Sequence, residues 1–312
     1  MLERRAAAAA KMGDDEEPRG ATVSQGETTR AGVIGLGDIG AGVAASCIAA
    51  GVPTTVCDLR HDILDSFADR ATTTTSAAEL ARQSDVIVVA VVNDAQVEAV
   101  LAGEGGAFEG IQPGTVVVVV STISPPTIVA MAQAASEVGA SLIDCGVSGG
   151  PAAAKSGELI SMVGGDAASI EAAGEVLDAM SSLVVTMGGL GTGLIAKLAR
   201  NVVQYGGWLA AYEGAQIAEA AGVELSKLAT VIRASDAKIG GAATLLLRPT
   251  VAQFGPDDDA GFIAAMAAGA ALAKKDLLAA LATAQHLGLD LPGVEVASSS
   301  IEHVFGVAEV EG

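Results

Sequence analysis

From Ala31 to Met187 the chain alternates short runs rich in β-branched residues with helical stretches, and after Gly191 the strand signals stop. Strands are expected at Ala31–Gly35, Thr54–Asp58, Asp85–Val92, Thr115–Val120, Ser141–Asp144, Leu159–Val163 and Leu183–Met187, with a short Thr72–Thr75 segment after the second. Asp85–Val92 and Thr115–Val120 are nearly unbroken apolar runs, as strands covered on both faces require. Helices are expected at Asp38–Ala50, near Ala77–Gln83 and in the stretches between the later strands. Alternation of this length implies a doubly wound, largely parallel α/β sheet of Rossmann type. Leu194–Ala220 reads as one long interdomain helix, followed by helices near Leu225–Ser235, Gly261–His286 and Val294–Val304. The expected organisation is therefore a tail over residues 1–30, an α/β domain over 31–190, and an all-α domain over 191–312.

The tail carries an alanine run and then Asp14-Asp15-Glu16-Glu17, too weakly hydrophobic for a secretory signal, and is read as disordered. No stretch is suited to span a membrane: Ala260–Ala273 is short, rich in Ala and Gly, and ends at Lys274-Lys275-Asp276. A net charge of −20 excludes nucleic acid and anionic membranes as partners, since both call for a basic face. Cys47, Cys57 and Cys145 have no ligand spacing and are odd in number, which fits a reducing cytoplasm. His61, His286 and His303 are scattered, so no metal is expected.

The strongest chemical signal in the first half is Gly35-Leu36-Gly37-Asp38-Ile39-Gly40, a GxGxxG that follows a strand and opens a helix. The first glycine permits the turn, the second lets a pyrophosphate approach, and the third allows close packing of helix on sheet. The helix N-terminus adds free N–H groups and a favourable dipole. Asp58, 18 residues past Gly40, is placed to accept the adenosine ribose hydroxyls and to repel a 2′-phosphate, which favours NAD over NADP. Arg60, two residues on, keeps NADP open. Asn93, after the Asp85–Val92 run, falls at the carboxyl edge of the sheet where such folds bind ligands.

In the second half, Lys197 and Asn201 stand four residues apart on one face of a largely apolar helix. The chain has only seven lysines, so one committed to such a helix calls for a reason. A lysine snorkelling to water is the alternative. Tyr205 and Trp208, on roughly the same face, read as core or interface packing. Upstream, Ser148 offers a hydroxyl and Gly149-Gly150 offer unobstructed backbone N–H groups, a small nest suited to a carboxylate.

Together these motifs resemble the β-hydroxyacid dehydrogenase family, which includes 3-hydroxyisobutyrate dehydrogenase, over residues 31 to about 305. GLGDIG at 35–40 is similar to its cofactor fingerprint, and Asp144-Cys145-Gly146-Val147-Ser148-Gly149-Gly150 to its substrate signature. Gly191–Asn201 resembles its catalytic-lysine motif, and Lys275-Asp276-Leu277 a cofactor-side motif. The resemblance implies Lys197 as general acid/base, Asn201 as its hydrogen-bonding neighbour, and Ser148, Gly149 and Gly150 as the grip on the substrate carboxylate. It implies Thr122 beside the nicotinamide half and Lys275 near the nicotinamide ribose, with Lys274 as the competing candidate. Gly146 stands where the family usually has proline, implying a more mobile loop. The activity implied is NAD-dependent interconversion of a small β-hydroxy acid with its semialdehyde or β-keto acid, in a homodimer or homotetramer. The alternatives are an NADPH-dependent semialdehyde, glyoxylate or imine reductase, or a non-catalytic dinucleotide-binding protein. Imine reductases usually carry another residue where Lys197 stands.

Overall fold

A computed structural model describes residues 28–246, 248 and 250–308. Residues 1–27, most of the expected tail, lie outside the described residues. Arg30 already belongs to the folded unit: its Nε and Nη2 donate to the two Asp85 carboxylate oxygens at 3.0 and 2.7 Å.

The eight strands are β1 (Ala31–Ile34), β2 (Thr54–Cys57), β3 (Thr72–Thr74), β4 (Val86–Val89), β5 (Val116–Val119), β6 (Ser141–Ser148), β7 (Leu159–Gly164) and β8 (Ser181–Gly188). They form one sheet in the order β3-β2-β1-β4-β5-β6-β7-β8. Every pairing is parallel except β6 with β7. Val33 lies opposite Val56 and Val88, Val88 opposite Val118, and Val118 opposite Ile143. Successive strand residues point to opposite faces, so the sheet feeds two buried clusters. One gathers Val33, Val56, Val88 and Val118 with Val43, and the other Ile34, Ile87, Val117 and Val119 with Leu80 and Leu101. The helices of this unit are α1 (Asp38–Ala49), α2 (His61–Asp65), α3 (Ala77–Arg82), α4 (Asp94–Ala102), α5 (Pro125–Glu137), α6 (Gly150–Ser156), α7 (Ala167–Ala172) and α8 (Gly174–Met180). Their starts follow local chemistry. The Ser76 hydroxyl accepts from Glu79 N–H before α3, the Asn93 side chain accepts from Gln96 N–H before α4, and α5 opens on prolines.

Two differences from the expected strands matter for the site. The strand expected at Ser141–Asp144 continues to Ser148, because its second half finds an antiparallel partner in β7. Gly146 is therefore no mobile loop residue; it sits buried in extended backbone opposite Met162. The chain passes from β1 out to β3 on one side and returns to β4 on the other, so the strand order reverses at β1/β4. That is the topological switch point where open α/β sheets bind ligands.

The chain divides into two compact units, one through Ile195 and one from Ala196. The second contains most of α9 (Thr192–Ala220), with α10 (Leu225–Ile239), α11 (Ala260–Leu287) and α12 (Pro292–Val304). Within it, Lys274 of α11 pairs with Glu302 of α12 at 2.7 Å. Glu213 of α9 is buried and accepts from Gly293 and Val294 N–H at 2.7 and 2.8 Å, capping α12. Among the described residues no helix is long and apolar enough to cross a membrane.

Candidate functional site

The fingerprint glycines divide their work as their positions require. Gly35 follows β1 with φ +89°, and a Cβ on it would lie 2.7 Å from the Ala90 carbonyl oxygen. A Cβ on Gly40 would run into the Gly35 carbonyl oxygen, so the third glycine is what lets α1 close on the turn. Gly37 is different: no heavy atom lies within 4 Å of where its Cβ would be. It precedes α1 without any side-chain cap. An open glycine at an uncapped helix start is a cradle for an anion. Leu36, Asp38 and Ile39 complete the turn; Leu36 is buried and Asp38 is exposed in the helix's first turn.

A cleft of about 640 Å³ opens beside this turn, with Gly35, Gly37, Asp58, Arg60, Val91 and Gln96 among the residues on its walls. Asp58 follows β2 with only 10 % of its side chain exposed. Its Oδ2 accepts from Leu36 N–H at 2.7 Å and from Arg60 Nη2 at 2.9 Å. Its Oδ1 accepts from Arg60 N–H at 3.0 Å and Arg60 Nε at 2.9 Å. The Arg60 guanidinium, helped by the Leu36 and Arg60 N–H groups and opposed by burial, holds this carboxyl far below the usual carboxylate range. It is a fixed negative charge beside the fingerprint turn. The turn, the uncapped helix and the carboxylate fit a nicotinamide dinucleotide.

Asn93 and Thr122 follow β4 and β5, outside the walls of that cleft. Asn93 spends its carbonyl oxygen on Gln96 N–H at 3.0 Å, so its amide NH₂ is the group left to donate to a ligand. Next to it, Asp94 accepts from the Ser124 hydroxyl, the Thr127 hydroxyl and Ser124 N–H at 2.6, 2.6 and 2.9 Å. Those donors bring the Asp94 carboxyl down to about 2 and tie α4 to α5. The loops around Thr122 are thereby held at the sheet's carboxyl edge.

Ser148 is the last residue of β6, and Gly149 and Gly150 turn the chain into α6 with φ +123° and +71°. Only glycine takes both conformations without strain. Four residues upstream, Asp144 is fully buried. Its Oδ1 accepts from Gly191 N–H at 2.5 Å and its Oδ2 from Leu194 N–H at 2.7 Å. Burial pushes this carboxyl up, against the pull of those N–H groups. Asp144 thus caps α9, a role the sequence reading missed although it quoted the residue. Gly193 completes the junction, since a Cβ there would press on the Met162 carbonyl oxygen.

Lys197 and Asn201 lie in the second unit, both half-buried and one helical turn apart on α9. The Asn201 Oδ1 receives a long 3.4 Å contact from Arg200 Nη1. Tyr205 and Trp208 are not core residues: they are 56 % and 61 % exposed, with their rings 5.1 Å apart. Lys275 is 70 % exposed and pairs with the adjacent Asp276 at 3.2 Å. Lys274 is committed to Glu302, which leaves Lys275 as the candidate for a cofactor. Among the described residues no group of His, Cys, Asp and Glu could hold a metal ion. The structure thus gathers Gly35, Leu36, Gly37 and Asp58 around one turn, and sets Asn93, Thr122 and Ser148–Gly150 at the ends of neighbouring strands.

Residues 30–189 match the model of the NAD binding domain of 6-phosphogluconate dehydrogenase. An uncharacterised oxidoreductase of Mycobacterium tuberculosis is 35 % identical over 90 % of this chain and 95 % of its own. A probable mitochondrial 3-hydroxyisobutyrate dehydrogenase of Dictyostelium discoideum is 32 % identical over 85 % of this chain and 82 % of its own. The crystal structure of a putative oxidoreductase from Mycobacterium avium superposes with a TM-score of 0.81 at 33 % identity, covering 90 % of this chain and all of the other. The chain belongs to the β-hydroxyacid dehydrogenase family and is an NAD(P)-dependent oxidoreductase of the hydroxyacid dehydrogenase type.

Proposed function

We propose that the protein oxidises a small β-hydroxy acid to its semialdehyde or β-keto acid with NAD, and that Lys197 is the general acid/base. The observation that carries this reading is a half-buried lysine one helical turn from Asn201, in a chain with seven lysines. When bound, the nicotinamide ring supplies the hydride acceptor. Gly35–Gly40 hold the pyrophosphate, Asp58 the adenosine ribose, and Asn93, Thr122 and Lys275 the nicotinamide half. Lys197 takes the proton from the substrate hydroxyl as the C–H hydride leaves, and in the reductive direction its ammonium protonates the alkoxide. Asn201 orients the hydroxyl. The substrate carboxylate is received by the Ser148 hydroxyl and the Gly149 and Gly150 N–H groups.

Turnover with NAD across C3 to C5 β-hydroxy acids tests this reading directly. At least one acid should be oxidised, and Ser148→Ala should chiefly raise KM, as loss of uniform substrate binding does. A panel with no turnover, or a Ser148→Ala protein with unchanged KM, would remove the assignment.

Cys47, Cys57 and Cys145 are all buried, which fits a reducing cytoplasm. We also propose a homodimer or homotetramer, with the second unit as the assembling part. Val202, Tyr205, Trp208 and Tyr212 expose 56 to 73 % of their surface along one helix, an apolar stripe of the kind that marks protein contacts. Light scattering should give a multiple of 30.6 kDa; a monomer at micromolar concentration would sink the proposal.

A further inference from the structure

The Asp58 carboxylate raises a problem for the ribose it is proposed to bind. An ionised carboxylate offers about four lone-pair positions, and all four on Asp58 are taken, by Leu36 N–H, Arg60 N–H, Arg60 Nε and Arg60 Nη2. A ribose diol can enter only by replacing two of these donors. Leu36 N–H and Arg60 N–H belong to the backbone and keep the carboxylate aimed. Nε and Nη2 belong to a side chain that is 54 % exposed on the wall of the cleft. They occupy one position on each oxygen, the pattern a vicinal diol would present in their place. At Asp58 the exchange conserves hydrogen bonds: two N–H donors leave and two O–H donors arrive. The same Nη2 also reaches the Leu36 carbonyl oxygen at 3.2 Å, so the guanidinium closes over the fingerprint turn.

We infer that the Arg60 side chain occupies the diol-binding edge of Asp58 in the free protein, is displaced by the adenosine ribose of NAD, and sets how sharply the chain discriminates NAD from NADP. The displaced guanidinium stays on the cleft wall beside the 2′ position. There it offers a planar, bidentate cation to a 2′-phosphate, whose charge Asp58 alone would repel. Arg60 thus works against NAD by competing for Asp58 and in favour of NADP by screening it. The inference rests on the assignment of Asp58 to the adenosine ribose.

Calorimetric titration of the full-length protein with NAD⁺ and with NADP⁺ tests it, because it reads binding without turnover. Arg60→Ala should bind NAD⁺ about threefold more tightly, the modest gain expected on freeing a half-exposed ion pair. It should bind NADP⁺ at least about tenfold more weakly, the scale of one lost charge-assisted pair. Arg60→Lys keeps the charge but not the two-pronged grip, so it should gain affinity for NAD⁺ while retaining more NADP⁺ binding than Arg60→Ala. An unchanged NAD⁺ to NADP⁺ ratio in Arg60→Ala, or weaker NAD⁺ binding, would overturn the inference and leave the dinucleotide reading standing. Failure of the unmodified protein to bind either cofactor would overturn both.

Discussion

Lys197→Ala should lower kcat for oxidation of the hydroxy acid by at least ~10²-fold, the low end for loss of a positioned acid/base. Affinity for the dinucleotide should stay as it was, because the pyrophosphate and adenosine-ribose contacts proposed for it lie on Gly35–Gly40 and Asp58, in the other unit, and Lys197 is none of the residues proposed to hold the nicotinamide half. The two readouts separate the roles. A lysine that merely snorkels from an apolar helix contributes packing through its methylenes, and its loss would cost stability without touching kcat. The ascending limb of the pH–rate profile should disappear in the variant, since the group that accepts the hydroxyl proton has gone. A variant with near-normal kcat and an intact limb would end the proposed mechanism.

The second large effect comes from adding one methyl group at two neighbouring glycines. Gly40→Ala forces a carbon against the Gly35 carbonyl oxygen, which is backbone and cannot step aside. Overpacking of this kind costs about 1–3 kcal/mol, and the thermal midpoint should fall by ~2–4 °C for each kcal/mol. Cofactor binding should fall with it, because the turn has to open. Gly37→Ala meets no neighbour, and its φ of −71° suits alanine. Its stability should change by less than about 1 kcal/mol, yet dinucleotide affinity should drop at least tenfold, ~1.4 kcal/mol, because the methyl fills the pyrophosphate's approach. Thermal melts paired with dinucleotide titrations check both. Equal loss of stability in the two variants would show that Gly37 serves the fold and not the ligand.

Much of the fold was legible because the sheet is built from runs that can be little else. Val86–Val89 and Val116–Val119 are β-branched and apolar at nearly every position, and both are buried along their whole length. The second half of β6 was not legible. Cys145-Gly146-Val147-Ser148 has weak strand propensity, and its backbone becomes a strand only when β7 arrives antiparallel to bond with it. The fingerprint could be read since its glycines are spaced by local geometry. Buried carboxylates could not. Glu213 looks like any acidic residue on a long helix, and only the approach of Gly293 and Val294 turns it into the cap of another helix. Asp58 and Arg60 were each visible as rivals for a cofactor, whereas their mutual grip is a matter of side-chain conformation. Asn93 shows the opposite limit. Its spacing to Gln96 is a helix-start signature, and the structure gives its side chain that local role alongside the ligand role proposed for it.

The Asp144 cap has a bearing on how the chain is made. The carboxylate that accepts from Gly191 and Leu194 lies 47 and 50 residues ahead of them in sequence. Chains fold from the N-terminus as they emerge during synthesis, so β6 can already be seated beside β5 when the first turn of α9 leaves the ribosome. The acceptor is waiting before its donors exist. Nucleation is the unfavourable step of helix formation, and for the helix that carries Lys197 a finished sheet can supply the template for that first turn.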